Sequence, residues 1–106
     1  LLGGVDALRT AGVDMDGSLR LIGGGARSPA YRQITADLWG SPITVHDGAE
    51  PVATGACVQA AAVHTGTTPQ DTAASWHLDA GTRVEPTPGA DSDDLRAAFQ
   101  DAAGSI

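Results

Sequence analysis

The residues best placed to do chemistry lie between Leu21 and Gly40, in the run LIGGGARSPAYRQITADLWG. A short apolar strand over 19–22 empties directly into Gly23-Gly24-Gly25-Ala26. A helix start follows at Ser28-Pro29. Glycine lets a backbone approach a ligand closely and adopt positive φ. Free loop amides and a helix N-terminus suit a ligand rich in acceptors, such as a phosphate or a purine edge. The run lacks the GxGxxG spacing of dinucleotide folds and the GKS/T ending of a phosphate loop. A tight strand–helix turn, with its glycines serving packing, fits the same pattern. Spacing alone leaves both readings open.

A second candidate is Glu50 to Ala62, EPVATGACVQAAA. A glycine inside a helix costs about 1 kcal/mol against alanine, so Gly55 needs a reason. Gly55 and Ala56 either line a nucleotide wall or allow close helix–sheet packing. The other chemistry-bearing residues are dispersed. His46, His64 and His77 lack metal-ligand spacing such as HExxH, so no metal site is expected. Cys57 sits mid-helix among alanine and valine and is expected to be a buried, inert thiol. Asp37 is expected to be solvated or paired with an arginine. Trp39 and Trp76 read as core or lobe-contact residues. No serine or cysteine has the motif context of a nucleophile, and no residue is assigned a catalytic role.

These residues must be positioned by helices and strands whose signals are local. A helix over 1–11 follows from Leu1, Val5 and Leu8, with Gly12 closing it. Asp16-Gly17 and Asp47-Gly48 mark turns. Ser28 caps a helix over 29–39 that opens on Pro29 and stops at Gly40. Ile43-Thr44-Val45 is a second strand. Glu50-Pro51 opens a helix over 52–65 that Gly66 ends. Thr68-Pro69-Gln70-Asp71 starts a short helix over 69–77. Arg83-Val84-Glu85 is a third strand. Asp91 or Ser92 caps a last helix, closed by Gly104, with Asp93 and Asp94 in its first turn, where the dipole favours them. The order α-β-α-β-α-α-β-α predicts an α/β layered fold with a largely parallel sheet. So few strands suggest part of a larger domain.

The 106 residues contain six arginines, no lysine, eleven aspartates and two glutamates, for a net charge of −7. A nucleic-acid surface needs clustered cations, and these arginines are scattered, so no nucleic-acid partner is expected. An acidic membrane surface is disfavoured likewise. No apolar run approaches the ~20 residues needed to span a bilayer. Residues 1–12 do not read as a signal peptide. One cysteine builds no disulfide framework, so a cytoplasmic location is expected.

The block IGGGARSPAYRQITADLWGSPITV, followed by EPVATGACVQAAAV, resembles the C-terminal part of the FGGY carbohydrate kinases. The opening LLGGVDALRTAGV and the tail RVEPTPGADSDDLRAAF are similar to the family's xylulose-phosphorylating branch, of actinobacterial type. The resemblance thus runs over nearly the whole chain. It implies that residues 1–106 form part of the C-terminal lobe of a two-lobe enzyme. Each lobe would have the ribonuclease-H-like fold of actin and hexokinase. ATP, Mg²⁺ and a small sugar would bind between the lobes. Gly23, Gly24, Gly25 and Ala26 would match the family's adenosine motif, with Gly24 to Ala26 against the adenine and ribose. Ser28 and Gln33 would be its neighbours. The implied reaction converts D-xylulose to D-xylulose 5-phosphate. An aspartate outside this chain would accept the proton of the sugar hydroxyl. The Mg²⁺ ligands and sugar-binding residues would also lie outside it, so the 106 residues alone are expected to be inactive. Another polyol (glycerol, gluconate or ribulose) and a non-catalytic nucleotide-binding module stay open as alternatives, as does a homodimer.

Overall fold

A computed structural model describes residues 1–46, 48 and 50–105. The predicted Asp47-Gly48 turn falls partly outside them. In chain order the elements are α1 (Leu2–Thr10), β1 (Leu19–Leu21), a 3-10 turn (Gly24–Arg27), α2 (Pro29–Trp39), β2 (Ile43–Val45), α3 (Pro51–Thr65), α4 (Pro69–Ser75), β3 (Thr82–Val84) and α5 (Ser92–Gly104).

The helix boundaries follow from capping chemistry. The Ser28 hydroxyl accepts the Tyr31 N–H at 3.3 Å, and Pro29 begins α2. Gly40, at φ +75°, ends α2 and donates its N–H to the Ala36 carbonyl at 2.9 Å. The Thr68 hydroxyl accepts the Asp71 N–H at 3.1 Å to open α4. Asp91 accepts the N–H groups of Asp93 and Asp94 at 2.9 and 3.1 Å to open α5. Each such cap is worth about 1 kcal/mol.

The sheet has the order β1-β2-β3. β1 and β2 are parallel, with Leu19 opposite Ile43 and Leu21 opposite Val45. β2 and β3 are antiparallel, with Ile43 opposite Val84. A largely parallel sheet is therefore not what forms. The single helix α2 returns the chain to the start of the sheet and gives a parallel neighbour. The pair α3–α4 makes two passes, so β3 enters from the opposite end. Gly81 leads into β3 at very close range. A Cβ on it would lie 2.7 Å from the Val45 carbonyl oxygen and 2.7 Å from a methyl of Thr44. Only glycine fits there.

Side chains alternate across the strands. Leu21, Ile43 and Val45 face α2 and form the core with Ala26 and Ala36. Leu19, Trp39 and Val84 pack against its edge. Burying side chains of this size is worth about 1.5–3 kcal/mol each. On α1, Asp6 takes both carboxylate oxygens to Arg96 of α5 at 2.8 Å, and the Arg96 Nε reaches the Leu38 carbonyl at 3.3 Å. Arg9 stacks over Trp39 at 5.1 Å. The α2 side is thus tied together by packing and by paired charges.

The α3–α4 hairpin closes on itself through Val58, Ala62 and Thr72, all buried. It lies across a cleft from the other face of the sheet. The molecule is consequently drawn out, 56 × 30 × 24 Å, with a radius of gyration of 17.1 Å. A compact chain of this length would have about 13 Å.

Candidate functional site

The sequence candidates Gly23 to Ala26 form one tight turn at the end of β1. The Ala26 N–H donates to the Gly23 carbonyl at 3.1 Å, and the Ser28 N–H to the Gly25 carbonyl at 3.1 Å. Gly23 has φ +94° and ψ −174°, a region essentially closed to other residues. A Cβ on Gly23 or Gly24 would meet nothing within 4 Å, so the turn presents bare backbone outward. A Cβ on Gly25 would press the Tyr31 ring at 3.3 Å. Ala26 is buried and anchors the turn in the core. Its carbonyl accepts from Arg32 Nε.

Ser28 follows this turn directly and Gln33 lies within α2, and their observed contacts hold the fold. Ser28 caps α2. The Gln33 amide donates to Asp37 Oδ1 and to the Glu85 carbonyl, both at 2.9 Å. Of the two outcomes expected for Asp37, solvation or an arginine partner, the second is not found among the described residues. Asp37 receives the Thr87 N–H at 2.6 Å and the Thr87 hydroxyl at 3.0 Å. The Thr87 backbone N–H, with the Gln33 amide second, holds the Asp37 carboxyl below the usual carboxylate range. Asp37 is a clasp between α2 and the segment after β3.

A concavity lies beside this turn, on the face of the sheet away from α2. It has a volume of about 740 Å³ and is walled by β1, β2, α3 and α4. Ile22, the residue before the glycines, lines it, as do Pro51, Thr54, Gly55 and Val58 of α3. None of residues 23–28 does. Gly55 meets nothing at its absent Cβ, so it widens the cleft wall and serves no close packing among the described residues. Trp76, expected as a core or lobe-contact residue, is half exposed and does not line the cleft. Cys57 is exposed, contrary to expectation, because it projects from α3 away from the Val58–Ala62 seam that meets α4.

Sequence reasoning assigned no role to Arg20 and considered His46 only as a metal ligand, yet both line this cleft. Arg20 Nη1 lies 2.8 Å from His46 Nε2. Strand alternation was the available signal. Arg20 and Ile22 must share a side of β1, and His46 follows the inward Val45 of β2. Among the described residues no three His, Cys, Asp or Glu side chains converge on a point that could hold a metal ion. Among them, too, no helix is long and apolar enough to cross a membrane.

A strand running into a glycine turn, then a capped helix and a Gly/Ala-rich second helix, define an α/β domain whose bare turn stands at the end of a strand. The family model for the C-terminal domain of the FGGY family of carbohydrate kinases matches residues 3–84, which hold the glycine turn, α3 and the whole sheet. The chain belongs to that family, and with it to the actin/hexokinase-like ATPase fold. Its relatives include a xylulose kinase of Streptomyces coelicolor, 41% identical over 81 residues, which are 76% of this chain and 17% of that protein. A xylulose kinase of Streptomyces rubiginosus is 40% identical over 85 residues, 80% of this chain and 18% of that protein. The chain thus spans less than a fifth of the length of these curated relatives. No solved structure matches it.

Proposed function

We propose that this chain is the adenosine-binding portion of a cytoplasmic, ATP-dependent sugar kinase that converts D-xylulose to D-xylulose 5-phosphate. The observation that carries this reading is the outward, side-chain-free backbone of Gly23 and Gly24 at the end of β1. It lies inside the matched family segment, and both relatives quoted above are xylulose kinases. A flat adenine can lie against such a surface because no Cβ stands in its way. Ala26, buried beneath the turn, and Gly25, seated on the Tyr31 ring, keep that surface in place. ATP supplies the phosphoryl group in the parent reaction. This chain's contribution is to bind and orient the nucleotide's adenosine end, and positioning does much of the work in such transfers. The described carboxylates form no Mg²⁺ site, so no step through the metal is assigned to these residues.

The experiment is an ADP-release assay on the longer gene product that contains this chain. D-xylulose is compared with glycerol, gluconate and L-ribulose. Strong preference for D-xylulose is the expected result. Preference for another polyol would remove the xylulose assignment and keep the kinase. No turnover with any sugar would leave a non-catalytic module in its place.

A further inference from the structure

The cleft on the far face of the sheet contains an arginine with no counter-charge among the described residues. Arg20 projects into it from β1, and no described carboxylate pairs with it. The contact it makes there is the 2.8 Å approach to His46 Nε2. Arginine has only donors, so the imidazole nitrogen is the acceptor in this contact. An imidazole carries no negative charge and compensates none of the guanidinium's. On a chain of net charge −7, with 13 acidic side chains against six basic ones, an uncompensated cation in a concavity is notable. Arg83 stands in the same row of the sheet, with Thr44 between, but its charge is matched by Glu85.

The walls supply the rest of a ligand site. Thr54 and Gln59 of α3 and Gln70 of α4 offer neutral hydrogen-bonding groups, and Ile22, Val58 and Leu78 offer apolar surface. About 740 Å³ is within the usual range for a small-molecule site. The described lining carries no carboxylate that would repel an anion. We infer that this cleft binds a phosphate-bearing small molecule, with Arg20 as the principal anion contact and His46 beside it. Four guanidinium N–H groups remain for a phosphate's oxygens, in a fork that suits bidentate contact. None of Gly23 to Ala26 lines the cleft, so this site is distinct from the adenosine surface proposed above and does not depend on it.

The test is an NMR titration of the chain at fixed pH, following the His46 ring protons and the Arg20 side-chain N–H. The probes are inorganic phosphate, a pentose 5-phosphate, a nucleoside monophosphate and, as a phosphate-free control, adenosine. Phosphate is expected to move both resonances saturably, while His64 and His77, which lie outside the cleft, stay still. The apolar walls should make the two organic esters bind at least about tenfold more tightly than phosphate. Whichever ester is tighter identifies the source of the phosphate. Arg20→Gln, with the rest of the spectrum unchanged, should weaken all three by about tenfold or more. Adenosine should leave Arg20 and His46 unmoved and shift only the glycine turn. The inference is overturned if His46 moves no more than His64 and His77, if Arg20→Gln binds phosphate as well as the parent chain, or if adenosine alone reproduces the shifts.

Discussion

The two faces of the sheet are built to opposite ends. On the α2 side, Leu21, Ile43 and Val45 are sealed beneath Ala26 and Ala36. The polar groups around them are matched in pairs: Asp6 with Arg96, Asp37 with Thr87 and Gln33, Ser28 with Tyr31. On the other side the strands show Arg20, Thr44 and Arg83. The α3–α4 hairpin stands off across an open cleft. One face provides stability, and the other leaves room and unspent charge. The glycine turn sits where the two meet, its inner end fixed by Ala26 and its outer end bare.

Several substitutions can break or sharpen this contrast. The largest effect should come from the packed face. Ile43→Ala should lower stability by about 2–5 kcal/mol, read from the midpoint of chemical unfolding. In a chain with so small a core, that would leave it largely unfolded. A loss no larger than that of an exposed site such as Val63→Ala would mean that the α2 side is not the stabilising one. Gly81→Ala should follow. Its Cβ would meet the Val45 carbonyl at 2.7 Å, and relieving this overlap costs about 1–3 kcal/mol. The contrasting case Gly48→Ala, where a Cβ meets nothing within 4 Å, should cost less.

The smallest effect concerns Asp37. Its carboxyl is held below the ordinary range in the folded chain, so the unfolded state binds the proton more readily. Its contribution is therefore present above the unfolded-state pKa near 3.8 and is lost as pH falls through the lower folded value. Asp37→Asn should flatten the acid limb of a stability–pH profile, slightly lowering stability at neutral pH and leaving the acid end almost unchanged. An unaltered acid limb would show that the Thr87 contact does not bias the carboxyl.

The sequence carries the local parts of this architecture well. Ser28-Pro29 and Gly40 bracket α2 to the residue, and Asp91 caps α5, because capping is decided within four residues. What escaped depends on distant partners. The direction of β3 is set by how many helical passes separate it from β2, which the pattern of strands does not reveal. Gly81 is needed because Val45 and Thr44, more than 30 residues away, come close to it. Cys57 is exposed because only the Val58–Ala62 stripe of α3 has a partner. Ser28 and Gln33 resemble nucleotide neighbours in the family's pattern, yet their hydrogen bonds serve α2 and the segment after β3. Arg20 and His46 meet across two strands 26 residues apart, and only the register of the sheet brings them together.

The most direct test of the central claim uses Gly24→Val in the longer kinase that contains this chain. A Cβ at Gly24 meets nothing within 4 Å, so the substitution should leave the melting temperature nearly unchanged. If the turn holds adenosine, the branched side chain takes the base's place. KM for ATP should then rise by about tenfold or more, corresponding to roughly 1.4 kcal/mol of lost nucleotide binding, while KM for the sugar holds. A folded variant with unchanged KM for ATP would contradict the account.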